Sequence, residues 1–529
     1  MPAMLLFRQG MPCLYGGAAI AVATSTDSPR NKTRHAGTTG KFLDCNEEDG
    51  QKTAYSMFPL LSRMRSLLST LQALWVYAHF ICQAQAELNQ QTRHSLSSLL
   101  FSSGGLFFMK NTTLPVTQRS FRGADYFLLW SGVAISLAEI WAGGFLAPMG
   151  LVPGLIAILL GHVIGTTLMA GCGIPGSDHG VMAMISLRPS FGIRGSVLPA
   201  LLNIIQLVGW AAIMLIISGH AGAMLANFAP VPSSERFWIV LIGMITLLWA
   251  LLTEKPVWRT LQNTAVIGLL IVVCLMTVVS FREIGVAAAI DRPQTMSFMS
   301  GLDLVIAMPI SFMPMVADYA RFSKNTTTSF WNTWWGYFIV SSWMYILGLV
   351  ATLITGETDP GMLILKTMGS LGLAVPALLL VVFSTITSDF ANLYSSTCSA
   401  LNISERIRPK TTIWIAGILS ILVALVFPMA RYESFLLFIG AMLVPILGIV
   451  LTDYFILNKR TMNTAALNEK DGPYWYFKGV NRAALTAWVI GFAVFEAMAV
   501  MNIPLGSSLP SIAAAGFVYW LFMGRSKKA

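Results

Sequence analysis

Charged side chains are scarce in this 529-residue chain, and the residues that usually perform chemistry are not grouped. Only 11% of its residues are charged, against about 25% in an average soluble domain. Its six cysteines form no CxxC pair, and it contains no HExxH motif and no Walker-type phosphate loop. The apolar runs hold only two histidines, His162 and His220. These absences argue against a membrane-embedded enzyme and against direct nucleotide-driven pumping. A channel is also disfavoured, because the sequence shows no repeated pore motif.

Apolar residues, by contrast, make up 55% of the chain and cluster into runs of membrane-spanning length. A helix needs about 20 apolar residues to cross a bilayer. Twelve such runs, spans one to twelve, lie near 126–148, 151–172, 197–226, 236–253, 261–281, 302–319, 331–355, 374–400, 412–430, 434–457, 484–502 and 507–523. The sequence therefore predicts an all-α polytopic membrane protein.

The distribution of basic residues predicts the orientation. From residue 109 onward, twenty Lys and Arg fall on one side of the twelve spans and five on the other. Positively charged loops stay in the cytoplasm. We therefore expect a multi-pass protein of a bacterial-type inner (plasma) membrane, with both termini on the cytoplasmic side. This bias accounts for the net charge of +10 without a nucleic-acid partner. The expected partners are the bilayer and a small substrate, and the expected state is a monomer.

Residues 1–108 differ in character from the rest of the chain. They are polar and serine-rich, without a sustained hydrophobic period, whereas Met109 opens a short basic tail followed by the first span. We interpret 1–108 as a non-native or disordered N-terminal extension and 109–529 as the transporter domain. The alternative is a regulatory or targeting segment.

Two spans contain helix-breaking residues at matching positions. Span one has Gly143, Gly144 and Pro148, and span six has Pro309 and Pro314. Proline removes a backbone donor, and in lipid such irregular backbone must line protein or a cavity. Transporters built from inverted repeats place substrate and coupling ion at breaks of this kind. Interruptions in spans one and six therefore predict two five-helix halves of inverted topology.

Polar residues share one face on each of two further spans. Asn203, Gln206 and Trp210 align on span three at i, i+3 and i+7. Span eight aligns Thr385, Ser388, Asp389, Asn392 and Ser396 in the same way. An aromatic ring with amides and a carboxylate suits a flat heterocycle. The alternatives are that Trp210 only packs and that Asn392 only joins helices.

Two carboxylates, Glu139 and Asp389, lie inside predicted spans. Each costs roughly 2.5–3.5 kcal/mol at the membrane centre, so such residues usually face a pathway or cavity. Ionised carboxylates accept hydrogen bonds, so we expect this pair to select a substrate with an exocyclic amine. For Glu139 the alternative is a bond to a neighbouring helix without contact to the substrate.

Four segments resemble the nucleobase–cation symporter-1 family: SFGIRG, NIIQLVGW, PISFMPMVADYARF and TSDFANLYS. The stretch LLWSGVAISLAEI favours its CytX branch, hydroxymethylpyrimidine transporters related to cytosine permease. The resemblance covers roughly residues 117–525. It implies a LeuT-like five-plus-five inverted repeat, about 126–281 and 302–457, plus two C-terminal helices at about 484–523.

The resemblance also implies roles for individual residues. Trp210 would stack on the substrate, with Gln206 nearby, Ser311 and Phe312 from span six, and Asn392 from span eight. Sodium-coupled members hold the ion between span-one carbonyls, here near Val133 and Ser136, and span-eight hydroxyls, here Thr387 and Ser388. Asp389 stands where some relatives have a neutral residue and could carry a proton instead, which leaves the coupling ion open.

Together these features predict a secondary active symporter without a cofactor. The expected substrate is a pyrimidine-type heterocycle, hydroxymethylpyrimidine by the branch resemblance, imported on a sodium or proton gradient. Cytosine or another nucleobase is the alternative.

Overall fold

The computed structural model describes residues 113–252, 256–282, 295–369, 372–404, 406–501 and 506–526. The predicted extension 1–108 lies outside these ranges. Within α-helical residues 374–403, the side chains of Thr387 and Ser388 also lie outside the described part.

Each of the twelve predicted spans is helical in the structure. The helices are α1a (Gly123–Ala134), α1b (Leu137–Gly144), α2 (Leu151–His179), α3 (Val197–Met224), α4 (Glu235–Leu252), α5 (Pro256–Arg282), α6a (Phe298–Ser311), α6b (Met313–Ala320), α7 (Thr326–Thr355), α8 (Ala374–Ile403), α9 (Pro409–Val426), α10 (Tyr432–Leu451), α11 (Arg482–Val500) and α12 (Ser508–Ser526). Shorter elements include a helix at Pro360–Gly369 and a π-helical turn, Thr452–Leu457, that continues α10. By length and composition, seven described helices could cross a membrane, and the α1a–α1b pair makes an eighth.

Span one is interrupted, as predicted, but the sharp break lies at Ile135 and Ser136, before Glu139. Gly143 and Gly144, which suggested the interruption, are instead the last residues of α1b, and Pro148 lies in a short 3-10 turn after it. The axes of α1a and α1b differ by 58°. Ile135 and Ser136 leave helical geometry between them, and Ser136 is fully extended (φ −142°, ψ 143°). The Ser136 hydroxyl then accepts a bond from the Ala138 amide and starts α1b as its N-cap.

The second interruption, in span six, is gentler than the sequence suggests. Only Phe312 (φ −88°, ψ −9°) separates α6a from α6b, and Phe298–Ala320 remains one continuous span of 23 residues. Pro309 and Pro314 each remove an amide, yet the Met315 amide bonds to the Phe312 carbonyl in a tight turn, and α6a and α6b stay within one span.

The packing of the helices follows the symmetry expected of an inverted repeat. The most extensive contacts include α3 with α8, α2 with α6a, α7 with α1a and α7 with α2. If spans six to ten repeat spans one to five, the α2–α6 pair exchanges with α7–α1, whereas α3–α8 and α2–α7 map onto themselves. This pattern is what two intertwined five-helix halves produce.

Glycine allows α1b and α7 to pack backbone against backbone. A methyl group on Gly348 would clash with the Ile140 carbonyl, and one on Gly143 would clash with the Tyr345 backbone. Small residues permit such close approach in membrane bundles. The contact places the inner face of α1b, including Glu139, directly against α7.

Large apolar side chains are exposed along the outer helices. On α9, for example, they include Ile415, Leu422 and Val426, and on α4 they include Phe237 and Leu248. Helices that are apolar on the outside as well as the inside are typical of membrane spans.

Candidate substrate site between two interrupted helices

One face of α3 runs from one helix interruption to the other. Gln206 Nε2 donates 2.8 Å to the carbonyl of Ser311, the last residue of α6a. Two turns further along, Met214 Sδ lies 3.9 Å from the hydroxyl of Ser136, at the break in α1. Trp210 lies between them, since these residues follow at i, i+4 and i+8 over about 12 Å of helix. The predicted Gln206 therefore borders the interruption in α6, whereas the break in α1 is met by Met214, which the sequence analysis did not single out.

The Ser311 carbonyl is available to Gln206 because of the local backbone. In an unbroken helix this carbonyl would accept from the amide of residue 315, but the Met315 amide bonds to Phe312 instead. Gln206 therefore satisfies a carbonyl that the interruption has freed. The Ser311 hydroxyl, by contrast, donates to the Met308 carbonyl of its own helix at 2.7 Å.

Aromatic rings surround Trp210 on the side of α10. The Tyr432 and Phe435 rings meet it edge-on, with centroids at 6.0 Å and 5.6 Å. Tyr432 also stacks on Trp141 at 4.3 Å, and its hydroxyl donates to the Ala138 carbonyl in α1b at 3.2 Å. Trp210 is thus held in place by edge-to-face contacts with two rings of α10.

The predicted polar face of α8 lies at the same level as Trp210. Asn402 Nδ2 donates to Ser196, and Asn203 Nδ2 donates to Ser399, so α3 and α8 run antiparallel. Continuing this register along both helices puts Trp210 level with residues 388–392. Asp389 and Asn392 belong to this turn, and Asn392 Nδ2 donates to Asp389 Oδ1 at 3.0 Å.

Three buried polar atoms in this region have no hydrogen-bond partner within the described part of the chain. They are Gln206 Oε1, Trp210 Nε1 and Asp389 Oδ2. Buried polar groups are nearly always paired, and each unpaired one costs on the order of 1–3 kcal/mol. An amide acceptor, an indole donor and a carboxylate oxygen remain for a polar ligand.

Glu139 is engaged by α7 on both of its oxygens. Its carboxylate is 2% exposed and accepts 2.7 Å bonds from the hydroxyls of Tyr337 and Ser341. The Ser341 oxygen also lies 2.6 Å from Nε2 of His162 in α2. Substrate contact by Glu139, which stays a prediction, would replace one of these bonds. Sequence reasoning missed Tyr337 and Ser341, although their i, i+4 spacing puts both on one helix face.

Phe312, the predicted aromatic of span six, is half-buried at the interruption. Its ring packs edge-on against Tyr337 at 5.5 Å and against Trp130 at 6.1 Å. Through Tyr337 it lies one side chain away from Glu139. Predicted residues of spans three and six thus meet directly, at Gln206 and Ser311, whereas those of spans six and one are joined through Tyr337.

The predicted cation site can be assessed on its span-one half only. The break after Ala134 ends α1a close to Val133 and Ser136, and the last carbonyls of a helix lack intrahelical partners. The hydroxyls of Thr387 and Ser388 lie outside the described side chains. Among described residues, no group of three or more His, Cys, Asp or Glu could hold a metal ion.

A family model described as "Permease for cytosine/purines, uracil, thiamine, allantoin" matches residues 113–524. The chain belongs to this family. The cytosine–purine permease family comprises membrane transporters, so the chain is a permease and not an enzyme.

Curated members of the permease family align over most of this chain. Cytosine permease of Escherichia coli K12 is 26% identical over 407 residues, which cover 75% of this chain and 91% of the relative. Hydantoin permease of Microbacterium maritypicum is 22% identical over 411 residues, covering 73% and 83%.

Solved structures share the fold of this permease. Mhp1, a nucleobase-cation-symport-1 family transporter in a closed conformation with bromovinylhydantoin bound, superposes with a TM-score of 0.69 at 20% identity over 79% of this chain and 95% of Mhp1. A sodium-coupled sialic acid symporter superposes with a TM-score of 0.53 at 15% identity, covering 78% and 91%. The all-α, LeuT-type fold class predicted from the sequence is confirmed.

Proposed function

We propose that this permease is a secondary active symporter that imports a flat, nitrogen-containing heterocycle of the pyrimidine type. The observation that carries the proposal is the set of unpaired buried atoms, Gln206 Oε1, Trp210 Nε1 and Asp389 Oδ2, beside the two helix interruptions. Similarity to cytosine and hydantoin permeases supports the substrate class, because both named substrates are small planar rings with amide-like edges.

Each unpaired atom has a complement on an aminopyrimidine. The exocyclic amine donates, and suits the Asp389 carboxylate or the Gln206 carbonyl oxygen. A ring nitrogen accepts, and suits the Trp210 indole N–H. The face of Trp210 would stack on the ring, Phe312 would close the site from α6, and Asn392 would hold Asp389 in place.

Hydroxymethylpyrimidine is the specific substrate we propose, with cytosine as the second candidate. Both carry the 4-amino group that the acceptors require. The coupling ion would be sodium, held by the carbonyls near Val133 and Ser136 with the hydroxyls of Thr387 and Ser388, or a proton.

A binding screen on the purified full chain tests this proposal. Thermal shift with hydroxymethylpyrimidine, cytosine, uracil and hydantoin, each with and without sodium, should show stabilisation by the two amines. Saturation to about 100-fold above Kd corresponds to roughly 2.7 kcal/mol of added stability. If cytosine binds more tightly than hydroxymethylpyrimidine, cytosine becomes the proposed substrate. If none of the four compounds binds, the proposed function is contradicted.

A further inference from the structure

A continuous line of hydrogen bonds crosses three helices beside the candidate substrate site. It runs from Tyr337 through Glu139 to Ser341, both α7 residues lying 2.7 Å from a carboxylate oxygen, and on to His162 Nε2 at 2.6 Å. The other ring nitrogen, His162 Nδ1, lies 2.8 Å from the Ile158 carbonyl. Glu139, Ser341 and His162 are each deeply buried.

The number of hydrogens in this line can be counted from its chemistry. A carbonyl only accepts, so His162 Nδ1 must carry a proton toward Ile158. If His162 is neutral, its Nε2 is then an acceptor. If Glu139 is ionised, its oxygen is an acceptor as well. Ser341 has one hydrogen for these two acceptors, so one of its two short contacts would bring lone pairs together.

One additional proton satisfies every contact. With a protonated Glu139, the acid donates to Ser341 and Ser341 donates to His162. With a protonated His162, the imidazolium donates to Ser341 and Ser341 donates to Glu139. In both arrangements the group carries no net charge, whereas without the proton it carries one uncompensated negative charge in the membrane interior, which is costly.

We propose that Glu139, Ser341 and His162 form the binding site of a transported proton, which the permease takes up with its substrate and releases on the cytoplasmic side. This inference rests on the proposed symport function and adds the site and identity of a coupling ion. The step is a reversible protonation without oxidation or reduction: an O–H bond on Glu139 or an N–H bond on His162 forms on uptake and breaks on release.

No other charge faces this group among the described residues. Its titratable neighbours are phenols, namely Tyr337 and Tyr345 of α7 and Tyr432 of α10. The charged or basic groups on the other helices packed nearby have partners elsewhere: Asp303 accepts from the Ser507 and Ser508 amides, Asp318 accepts from the Ala183 amide, and Asp178 pairs with Arg460, His220 with Asp359 and Lys366 with Glu357. His179 and Glu433 lie at the ends of α2 and α10. The proton would therefore decide the charge of this three-residue group, whereas the buried carboxylate of the substrate site, Asp389 of α8, bonds to Asn392.

Two direct contacts link the proton site to the candidate substrate site. Tyr432 packs against Trp210 and donates to Ala138, the residue before Glu139. Phe312 packs against Tyr337, which donates to Glu139. A ligand that displaces Phe312 would disturb the bond from Tyr337 to Glu139. A ligand that displaces Tyr432 would disturb its bond to the Ala138 carbonyl, next to Glu139. This proximity is the reason for assigning a coupling role rather than a fixed structural proton.

The test is proton movement in proteoliposomes that contain the full chain. With hydroxymethylpyrimidine or cytosine as the probe, an inward gradient of one pH unit should raise accumulation about tenfold for one proton per substrate. Glu139→Gln and Ser341→Ala should lose this response to the pH gradient. The gradient-driven accumulation is divided by the substrate counterflow of the same variant, so that a general loss of transport is not counted as a loss of proton coupling. Ser342→Ala, which removes the adjacent buried hydroxyl, should keep it. An undiminished response in Glu139→Gln, or wild-type uptake driven by sodium with no proton movement, would overturn the inference.

A spectroscopic measurement keeps the inference testable if a variant fails to fold or neither compound binds. Near neutral pH, the wild-type protein should show either a carboxylic-acid infrared band that Glu139→Gln abolishes or a doubly protonated imidazole NMR signal that His162→Gln abolishes. The absence of both signals would overturn the proton site. The absence of binding by any compound in the screen would instead contradict the proposed function.

Discussion

Gln206 Nε2 donates to the carbonyl oxygen of Ser311 at 2.8 Å and thereby ties α3 to the interruption in α6. The same amide nitrogen also donates to Asn203 Oδ1 at 2.7 Å, so both of its hydrogens are used within the protein. Only its oxygen remains for a ligand. The Nε2 of Gln206 therefore stabilises the fold, and its Oε1 is available to the candidate substrate site.

Gln206→Leu should destabilise the permease as well as weaken binding. Leucine leaves the Ser311 carbonyl buried without a partner, at a cost on the order of 1–3 kcal/mol. Thermal denaturation of the purified protein measures this effect. Ser218→Ala is the control, because that hydroxyl, within the described part of the chain, bonds to Leu215 in its own helix. Equal melting shifts in the two variants would contradict a special role for Gln206.

Trp210→Ala should lose substrate affinity while the fold is retained. Stacking on a base is worth about 1–3 kcal/mol, which corresponds to roughly ten- to a hundredfold in affinity. Trp210→Phe keeps an aromatic face but loses the indole N–H, so it should show a smaller loss. Titration calorimetry with the best-bound pyrimidine measures both. If the affinity of the alanine variant for the substrate differs from that of the wild type by less than about twofold, Trp210 is not the stacking platform.

The helices could be predicted from the sequence because a bilayer imposes a length on each apolar run. Each of the twelve predicted runs is helical in the described residues, but the break in span one lies at Ile135 and Ser136 and not at the glycine and proline residues that suggested it. The degree of bending in span six was not predictable from its prolines. It depends on the tight turn from Phe312 to Met315 and on Gln206, which lies over a hundred residues away in the chain.

The partners of Glu139 could not be predicted from the sequence, because they depend on contacts between distant helices. Tyr337 and Ser341 lie about two hundred residues from Glu139 and meet it only through the close packing of Gly143 and Gly348. The sequence did contain a signal, since polar residues on span seven repeat at i and i+4. Without the partner helix, that pattern alone does not say what it faces.

If sodium contributes to coupling beside the proposed proton, Thr387→Ala should weaken the sodium dependence of uptake without changing which ring is preferred. The hydroxyl is expected beside the span-one carbonyls near Val133, where loss of one oxygen ligand lowers affinity for a hard cation. Uptake measured across a series of sodium concentrations, with hydroxymethylpyrimidine and cytosine in parallel, provides the readout. If wild-type transport is independent of sodium at every pH, the Thr387 hydroxyl is structural only.

Cysteine labelling tests the predicted orientation. Lys470 is exposed in the connection between α10 and α11, and Thr358 is exposed between α7 and the helix Pro360–Gly369. The distribution of basic residues places the first in the cytoplasm and the second outside. An impermeant maleimide added to intact cells should therefore label Thr358→Cys and spare Lys470→Cys. The reverse pattern would place both termini on the opposite side.

Asp389, rather than Glu139, should determine the preference for an amine over a carbonyl. Asp389 has an oxygen without a partner, whereas both Glu139 oxygens accept bonds from α7. Uracil presents a carbonyl where cytosine has an amine and would leave the Asp389 acceptor unpaired, which at 1–3 kcal/mol corresponds to about ten- to a hundredfold weaker binding. Asp389→Asn should narrow the cytosine-to-uracil affinity ratio, because an amide can donate as well as accept. Glu139→Gln should leave that ratio unchanged. Narrowing in the Glu139 variant and not in the Asp389 variant would instead make Glu139 the substrate ligand, as the sequence alone allowed.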